Sequence, residues 1–246
     1  MIRSEFFKHN NRLWLLSLVF PLFLNAFLYL DLTFRYQGYL LIHQAEYGLT
    51  NWQLIFKEQT IFYFSELYYI FLIIIIYEIF SIEFKNEAWL LLVCSPFRNQ
   101  LILKNKIIVS IIYSQLFWIS DYLSLMLVGK LIDNQLTFDF MLFSKSFIIQ
   151  NLSAVVITFF YFIILLLGQR ITSIIPIGIA MMILSISLYY PRNEFRLFLP
   201  FTYISHGFRA SSTEFYTIVA INVVIIIVLS VLIKKCQYRS YEFSFK

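Results

Sequence analysis

The sequence predicts an all-α membrane protein, because its composition, its hydrophobic runs and its charge distribution all indicate a bilayer as solvent. Apolar and aromatic residues make up 60% of the 246 residues, and charged residues only 13%. A soluble domain carries about 25% charged residues and spreads them over its surface. Here the charges fall in short segments between long uncharged runs. We therefore expect a single transmembrane domain over residues 1–246.

Six stretches are long and apolar enough to cross the hydrocarbon core as helices. A helix rises about 1.5 Å per residue, so a core about 30 Å thick needs roughly 20 mostly apolar residues. Runs such as 70–76 and 223–229 are continuously apolar, whereas the strands of a membrane barrel alternate polar and apolar residues. The predicted spans are residues 13–30, 61–81, 107–128, 147–168, 172–190 and 216–233.

The N-terminal segment, residues 2–11, is predicted to form a short helix on the membrane surface. Phe6 and Phe7 would enter the interface, and the basic residues around them would face the headgroups. A cleaved signal peptide is the alternative for this segment and the first span. We reject it because the apolar run leads into Tyr29 and Asp31 rather than into a small-residue cleavage site.

The distribution of Lys and Arg predicts that both termini lie in the cytoplasm. This orientation places 12 of the 19 basic residues on the inner side, in the shorter total length of loop, as the positive-inside rule requires. The net charge of +5 is dispersed at membrane edges and forms no stripe, so no nucleic acid partner is expected. The inner residues are Arg3, Lys8, Arg12, Lys85, Arg98, Lys104, Lys106, Arg170, Lys234, Lys235, Arg239 and Lys246.

The chain contains no motif for catalysis, metal binding or nucleotide binding. The phosphate-binding loop G-x-x-x-x-G-K-[ST] does not occur, and neither do H-E-x-x-H and G-x-S-x-G. His9, His43 and His206 are scattered over different loops, and Cys94 and Cys236 are far apart on the reducing side of the membrane. We expect no catalytic residue, no metal site and no disulfide.

The inner segment 82–106, IEFKNEAWLLLVCSPFRNQLILKNK, follows the second span and carries the most information. Glu83 and Glu87 are four residues apart and share one helical face, while Phe84 and Trp89 belong to an apolar side. This pattern predicts an amphipathic helix on the membrane surface.

The surface helix is predicted to end at a turn. Pro96 disfavours helix at the residue before it, so Phe97 and Arg98 would project from the turn that follows. Lys104 and Lys106 then mark the return of the chain into the membrane.

Two outer segments, residues 31–60 and 189–215, are rich in aromatic residues. The first is either an interfacial connector or a lid over a substrate path. The second contains two prolines and has no clean helical period, which fits short re-entrant pieces as well as a plain loop.

Glu66 and Asp121 are the ionisable residues predicted deepest in the spans. A charge in hydrocarbon costs about 2.5 to 3.5 kcal/mol on insertion scales, so such residues need a reason. They either line a polar translocation path or accept structural hydrogen bonds, for which Tyr63, Ser120 and Tyr122 are nearby in the sequence.

The chain resembles a known family in four features. They are the six spans, the N-terminal surface helix, the E-x-x-x-E…S-P-x-R…K segment, and the broken proline-containing region before the last span. It is similar to the permease subunits of type-2 ABC exporters, in the group that handles lantibiotics, bacteriocins and peptide toxins such as staphylococcal phenol-soluble modulins. In that family a coupling helix after the second span docks on a separate ATPase. The resemblance implies that the residues of this contact are Glu83, Phe84, Glu87, Trp89, Pro96, Phe97 and Arg98, with a smaller contact at Gln169 and Arg170.

The resemblance implies a protein that exports amphipathic or antimicrobial peptides and is not itself an enzyme. ATP and magnesium would bind the partner ATPase, and this chain would hold no cofactor. Its other partners would be a second permease chain, lipids and the peptide, in the cell membrane of a low-GC Gram-positive bacterium. The rival functions are a lipid-modifying enzyme, in which carboxylates and His206 would be catalytic, and a non-transporting sensor or assembly factor.

Overall fold

The computed structural model describes residues 12–62, 64–85, 99–168, 174–189, 199–206, 208 and 210–243. All regular secondary structure in these residues is helical, which confirms the predicted all-α class. The helices are α1 (Arg12–Arg35, continued by a π-helical turn, Tyr36–Leu40), α2 (Gln44–Tyr47), α3 (Asn51–Ile61), α4 (Phe64–Lys85), α5 (Asn99–Ile132), α6 (Phe140–Gly168), α7 (Ile174–Tyr189), a 3₁₀ turn (Pro200–Thr202), α8 (Tyr203–His206) and α9 (Ser212–Phe243).

Within the described residues, four or five crossings meet the length and composition of a membrane span. Four single helices do so, and α3 with α4 forms a fifth if this pair, bent by 59°, counts as one. Helix α7 has 16 residues, about 24 Å, and falls short of a core about 30 Å thick. The helices fit a multi-pass membrane protein, whereas six spans are not confirmed. The four single spans are Arg12–Leu40, Leu101–Ile132, Phe140–Leu167 and Ser212–Cys236.

Helix α5 is central to the bundle, because it packs against α1, α4 and α6. Helix α9 packs along α6, and α7 packs along α4. The contact face of α1 carries Ser17, Pro21 and Asn25 at four-residue spacing, all buried. Small and polar residues suit such a face because they allow close approach and hydrogen bonding between helices in a membrane. The opposite faces of α1 and α9 expose long rows of apolar side chains.

Helix α3 belongs largely to the segment 31–60, for which the sequence allowed either an interfacial connector or a lid over a substrate path. In the structure this helix packs inside the bundle. It begins at a capping box, in which Thr50 Oγ1 accepts from the Gln53 backbone and Gln53 Oε1 accepts from the Thr50 backbone. Leu54 and Phe56 are buried, and so is Gln59. The segment therefore contains an interior helix rather than only a surface connector.

Trp52 fixes the first turn of α3 against the connection between α5 and α6. Its indole Nε1 donates to the Thr137 carbonyl oxygen at 2.8 Å. Its ring lies directly over Gly129, where an added Cβ would come within 2.3 Å of Trp52 Cη2. Glycine is needed at this position because the rigid indole leaves no room for a side chain.

The described residues before α9 fold back onto the bundle. Tyr203, Ile204 and Phe208 are buried there. Gln150 Nε2 of α6 donates to the Ile204 carbonyl oxygen at 2.9 Å, and the hydroxyl of Tyr69 on α4 donates to the Phe201 carbonyl oxygen. These short helical pieces are consequently part of the core packing.

Replacing Gly129 by Ala should destabilise the protein. The new methyl group would collide with the Trp52 indole, and overpacking of this kind costs about 1–3 kcal/mol. Gly38→Ala is the matched control, because nothing lies within 4 Å of the position that its new Cβ would take. Thermal unfolding of the purified variants in detergent should show a lower midpoint for Gly129→Ala alone. Equal midpoints for the two variants would contradict the packing of Trp52 on Gly129.

Candidate functional site

A buried set of polar side chains joins α1, α3 and α5, and we call it the amide–carboxylate cluster: Asn25, Gln59, Asp121 and Ser124. Asn25 Nδ2 and Gln59 Nε2 both donate to Asp121 Oδ1, each at 2.8 Å. Asn25 Nδ2 also donates to Ser124 Oγ at 2.6 Å. Gln59, the most exposed of the four, exposes only 6% of its surface. One carboxylate oxygen therefore holds three helices together away from solvent.

Helix α3 has a second polar contact near the C-terminal end of α1. Arg35 Nη2 lies 2.5 Å from Glu58 Oε2 and 2.5 Å from Asp31 Oδ2. The Glu58 side chain is 3% exposed, whereas that of Arg35 is 40% exposed. The charge of Glu58 is thus neutralised by a guanidinium that reaches it from the surface.

Aromatic rings pack around α3 between these polar groups. The Phe56 ring centroid lies 5.1 Å from that of Phe143 and 6.0 Å from that of Phe208. Trp52 packs edge-on against Phe143 at 4.9 Å, and Tyr122 lies 5.9 Å from Phe56. Edge-to-face aromatic pairs add about 0.5–1.5 kcal/mol each beyond their buried area. The interior around α3 is therefore tightly filled rather than open.

A second polar group lies where α4, α5 and α6 meet, and we call it the tyrosine–glutamate cluster: Glu66, Tyr68, Tyr69 and Tyr161. The oxygens of Tyr68 and Ser114 are 2.5 Å apart and share a hydrogen bond. Tyr69 interacts electrostatically with the other three members of the cluster. All four side chains are buried.

Both carboxylates for which the sequence left a translocation path and a structural role open are buried in the bundle. Glu66 is 3% exposed and Asp121 is 1% exposed. Glu66 and Asp121 are not hydrogen-bonded to each other. Asp121 accepts instead from the two amides of its own cluster. The structure thus assigns them to two separate polar groups.

Two of the three donors suggested by sequence proximity, Ser120 and Tyr122, bond to other groups. Ser120 Oγ donates to the Leu18 carbonyl oxygen at 2.7 Å, and the Tyr122 hydroxyl donates to Gln150 Oε1 at 2.6 Å. Tyr63 lies outside the described residues. Neighbours in sequence on a helix point in different directions, and the donors to Asp121 come from other helices, α1 and α3.

Asn25 and Gln59, the partners of Asp121, were missed in the sequence. The signal for Asn25 was its place on the stripe of small and polar residues on α1, four residues after Pro21. Gln59 gave no such signal, because its segment has no span-like composition and was assigned to an outer loop. Its role depends on α3 entering the bundle, which is a tertiary feature.

The residues assigned to the ATPase contact are only partly described. Glu83 and Phe84 lie in the last turns of α4, which continues to Lys85. The others lie outside the described residues, namely Glu87, Trp89, Pro96, Phe97, Arg98, Gln169 and Arg170.

Metal chemistry has no evident place in the described part of the chain. No three of its His, Cys, Asp and Glu side chains are grouped so as to hold a metal ion. Asp121 is engaged by amides, and Glu58 by Arg35. Glu66 is the buried carboxylate left with bonding capacity, since its Oε2 has no hydrogen-bond partner in the described residues.

Replacing Asp121 by Ala should destabilise the bundle, whereas Asp121→Asn should retain most of the stability. Alanine removes the carboxylate oxygen to which both amides donate at 2.8 Å. Asn25 Nδ2 keeps its bond to Ser124 Oγ, and Gln59 Nε2 keeps a longer bond of 3.3 Å to Asn25 Oδ1. Loss of a hydrogen bond by a buried donor costs about 1–3 kcal/mol where the donor stays unsatisfied. Asparagine keeps an oxygen where both amides donate, at Oδ1. The measurement is the thermal midpoint of each purified variant in detergent. Equal midpoints for the Ala and Asn variants would refute the role of this single acceptor.

Comparison of the chain with protein-family models, with curated proteins and with solved structures finds no match. The function is therefore proposed from the residues of the chain and their geometry.

Proposed function

We propose that the chain is the transmembrane permease subunit of an ATP-driven exporter of amphipathic or antimicrobial peptides, or of similar hydrophobic compounds. ATP and magnesium bind a separate ATPase chain, and this chain contributes conformational change rather than catalysis. It crosses the cell membrane six times, with both termini in the cytoplasm. A surface helix precedes the first crossing, a coupling helix follows the second, and a broken hairpin precedes the last.

The continuity of α5 carries the proposal. This helix of 34 residues runs from Asn99 to Ile132, about 51 Å, with no proline inside it. It exceeds the hydrocarbon core of about 30 Å, so part of it extends beyond the core. It begins directly after the segment assigned to coupling and carries Asp121 further along. A push at Asn99 would therefore reach the amide–carboxylate cluster through one rigid element.

The buried carboxylates also support a transport function. Ionisable residues inside membrane bundles are costly, and they commonly mark substrate or ion pathways. Glu66 and Asp121 both lie inside this bundle, one on α4 and one on α5. These are the two helices on either side of the coupling segment. Their relative movement would change the surroundings of both polar clusters.

In the proposed mechanism, two permease chains pair and recruit two ATPase chains. ATP binding draws the ATPases together and displaces the coupling helices. Because each coupling segment lies between α4 and α5, the displacement rotates these helices and opens a path between the permeases. The apolar faces of α1 and α9 that a single chain exposes contact lipid and the second permease. A peptide with an apolar face can enter from the cytoplasm or from the bilayer.

Reversing charges in the coupling segment should release the ATPase. The double variant Glu87→Lys with Arg98→Glu inverts two of the charges of the proposed docking surface, and charge reversal across an interface strongly weakens binding. The tagged chain is purified from its native cells. Two quantities are then measured: the amount of co-purified polypeptide with a G-x-x-x-x-G-K-[ST] loop, and the rate of ATP hydrolysis.

We expect both quantities to fall by about tenfold or more in this variant. The control variant, Asn134→Glu with Gln135→Lys, places two new charges on the exposed turn after α5 and should retain the ATPase. If the wild-type chain retains no such polypeptide, or if the reversal leaves its amount unchanged, the exporter proposal is wrong. Lipid turnover by the purified chain without ATP would favour the enzyme.

Labelling of Cys94 tests the orientation of the coupling segment. In the Cys236→Ser background Cys94 is the remaining cysteine, since the chain has two. An impermeant thiol reagent should leave it unlabelled in intact cells and label it after permeabilisation. A chain carrying Asn134→Cys in place of both native cysteines should be labelled in intact cells, because Asn134 is exposed on the turn assigned to the outer side. Labelling of Cys94 from outside would exclude contact with a cytoplasmic ATPase.

A further inference from the structure

Lys106 is the one basic side chain that is buried among those whose burial the structure describes, and it is only 1% exposed. The sequence assigns it, together with Lys104, to the return of the chain into the membrane. The structure separates the two residues, because Lys104 is exposed on the same helix. A buried ammonium group loses its hydration, so an ionisable residue inside a membrane bundle calls for a functional explanation.

The Lys106 side chain joins α5 to the main chain of α4. Its Nζ donates to the Ile79 carbonyl oxygen at 2.7 Å and lies 4.8 Å from the centroid of the Phe80 ring. That carbonyl lies inside α4, where an oxygen bonded within the helix keeps a second lone pair for another donor. The charge-assisted hydrogen bond and the cation–π contact together hold the ammonium group. The contact therefore fixes the backbone of α4 rather than a side chain that can rotate.

Snorkelling is the simplest alternative for a lysine near the end of a span. A snorkelling side chain extends along the helix and places its ammonium group in the headgroups. Lys106 is instead buried, and its ammonium group is bonded inside the bundle. The Phe80 ring is itself packed on α6, with its centroid 5.5 Å from that of Phe162. The position of the ammonium group is thus set by helix packing.

The contact lies near the ends of α4 and α5 that face the segment 86–98. Ile79 is about 9 Å from the last residue of α4, and Lys106 is about 10 Å from the first residue of α5. In the other direction, Ile79 is about 20 Å along α4 from Glu66, and Lys106 is about 22 Å along α5 from Asp121. The contact therefore divides both helices in nearly the same ratio.

A second contact between α4 and α5 lies further from the segment. The hydroxyl oxygens of Tyr68 and Ser114 are 2.5 Å apart, and the ring centroids of Phe71 and Phe117 are 4.5 Å apart. These contacts join side chains only, and aromatic pairs tolerate a range of offsets and tilts. The Lys106 contact reaches the main chain, so it restrains the two helices more strictly.

We propose that Lys106 is the pivot between α4 and α5: the two helices keep their separation at the level of Ile79 and change their angle beyond it. This inference rests on the proposed export function, in which displacement of the coupling segment rotates these helices. Lys106 is then a positioning residue for that movement. Because Glu66 and Asp121 are about twice as far from the pivot as the segment is, a displacement beside the segment is about doubled at the carboxylates.

Distances between spin labels test the fixed point in the purified chain without the ATPase. Both native cysteines are replaced by serine, and the chain is placed in nanodiscs. Double electron–electron resonance gives the distance distribution between two labels. The near pair is Glu78→Cys with Leu101→Cys, and the far pair is Ile70→Cys with Ile119→Cys. All four positions are exposed, and each pair has one label on α4 and one on α5.

We expect one narrow distribution for the near pair, and Lys106→Met should widen it by about twofold or more. Methionine has a similar length but cannot donate to the Ile79 carbonyl oxygen. Lys104→Met is the matched control, since it is the same substitution at an exposed position on the same helix, and it should leave the width unchanged. Phe80→Leu removes the ring beneath the ammonium group and should widen the distribution less. An unchanged width in both Lys106→Met and Phe80→Leu would overturn the inference.

Tyr68→Phe tests the competing contact. It removes the hydroxyl that is bonded to Ser114 and should leave the near pair unchanged. If Tyr68→Phe widens the near pair and Lys106→Met does not, the fixed point lies at Tyr68 and the inference is wrong. Equal widening of the near and far pairs by Lys106→Met, with a lower thermal unfolding midpoint, would show general loosening and would also overturn it.

The change of angle is tested in the complex with the co-purified ATPase. A non-hydrolysable ATP analogue should shift the far pair by about 3 Å and the near pair by about 1 Å, as a rotation of about 10° at Lys106 requires. Equal shifts of both pairs would overturn the pivot and leave the exporter proposal intact. If the chain retains no ATPase, the exporter proposal fails, whereas the comparison of Lys106→Met with Lys104→Met still decides whether Lys106 fixes α4 to α5.

Discussion

The hydrogen bonding of Asp121 Oδ1 is the interaction on which the interior of this bundle depends. In a membrane, association of helices cannot rely on the hydrophobic effect, because lipid tails are as apolar as the helices. Specific polar contacts and close packing must hold the helices in register. Two amides from α1 and α3 converge on one oxygen of α5. This convergence positions α3 inside the bundle, and the aromatic packing around Phe56 follows from it.

The two polar clusters differ in how completely the chain satisfies them. In the amide–carboxylate cluster, Asp121 Oδ1 has two donors. In the tyrosine–glutamate cluster, Glu66 Oε2 and the Tyr161 hydroxyl have open bonding positions within the described residues. A satisfied polar cluster rigidifies a structure, whereas buried polar groups without a partner cost free energy. The first cluster therefore suits a structural role, whereas the second keeps two buried oxygens without a partner in the described residues.

Composition and periodicity were sufficient to predict the helical class and the long spans. The runs around 107–128 and 147–168 fall within α5 and α6, because a long apolar stretch has no stable alternative to a helix in lipid. The predicted span 61–81 corresponds to α4, but its bend against α3 was not foreseen. The segment 51–61 is too polar to resemble a span, because it contains Glu58, Gln59 and Thr60. Each of these side chains has a hydrogen-bond partner in the folded chain, which the composition of the segment does not reveal. Such pairings are invisible to a local pattern.

The sequence was sufficient to predict the carboxylates of the candidate site, but not the side chains that donate hydrogen bonds to them. Glu66 and Asp121 are conspicuous in apolar runs, because a carboxylate there is costly. Which of them is satisfied depends on side chains from other helices, Asn25 and Gln59 in one case and none in the described residues in the other. One-dimensional spacing does not contain that information.

The bend between α3 and α4 sets the order in which the contacts of α3 would break. Helix α3 is about 16 Å long, so a rotation of about 10° at the bend would shift its first turn by about 3 Å. That shift is enough to break the bond between Trp52 and Thr137. Gln59 lies two residues from the end of α3 and would move by less than about 1 Å over the same rotation. The bond of Trp52 to Thr137 would break while the bond of Gln59 to Asp121 still held. Separation of α3 from its neighbours would therefore begin at its first turn and proceed towards Asp121.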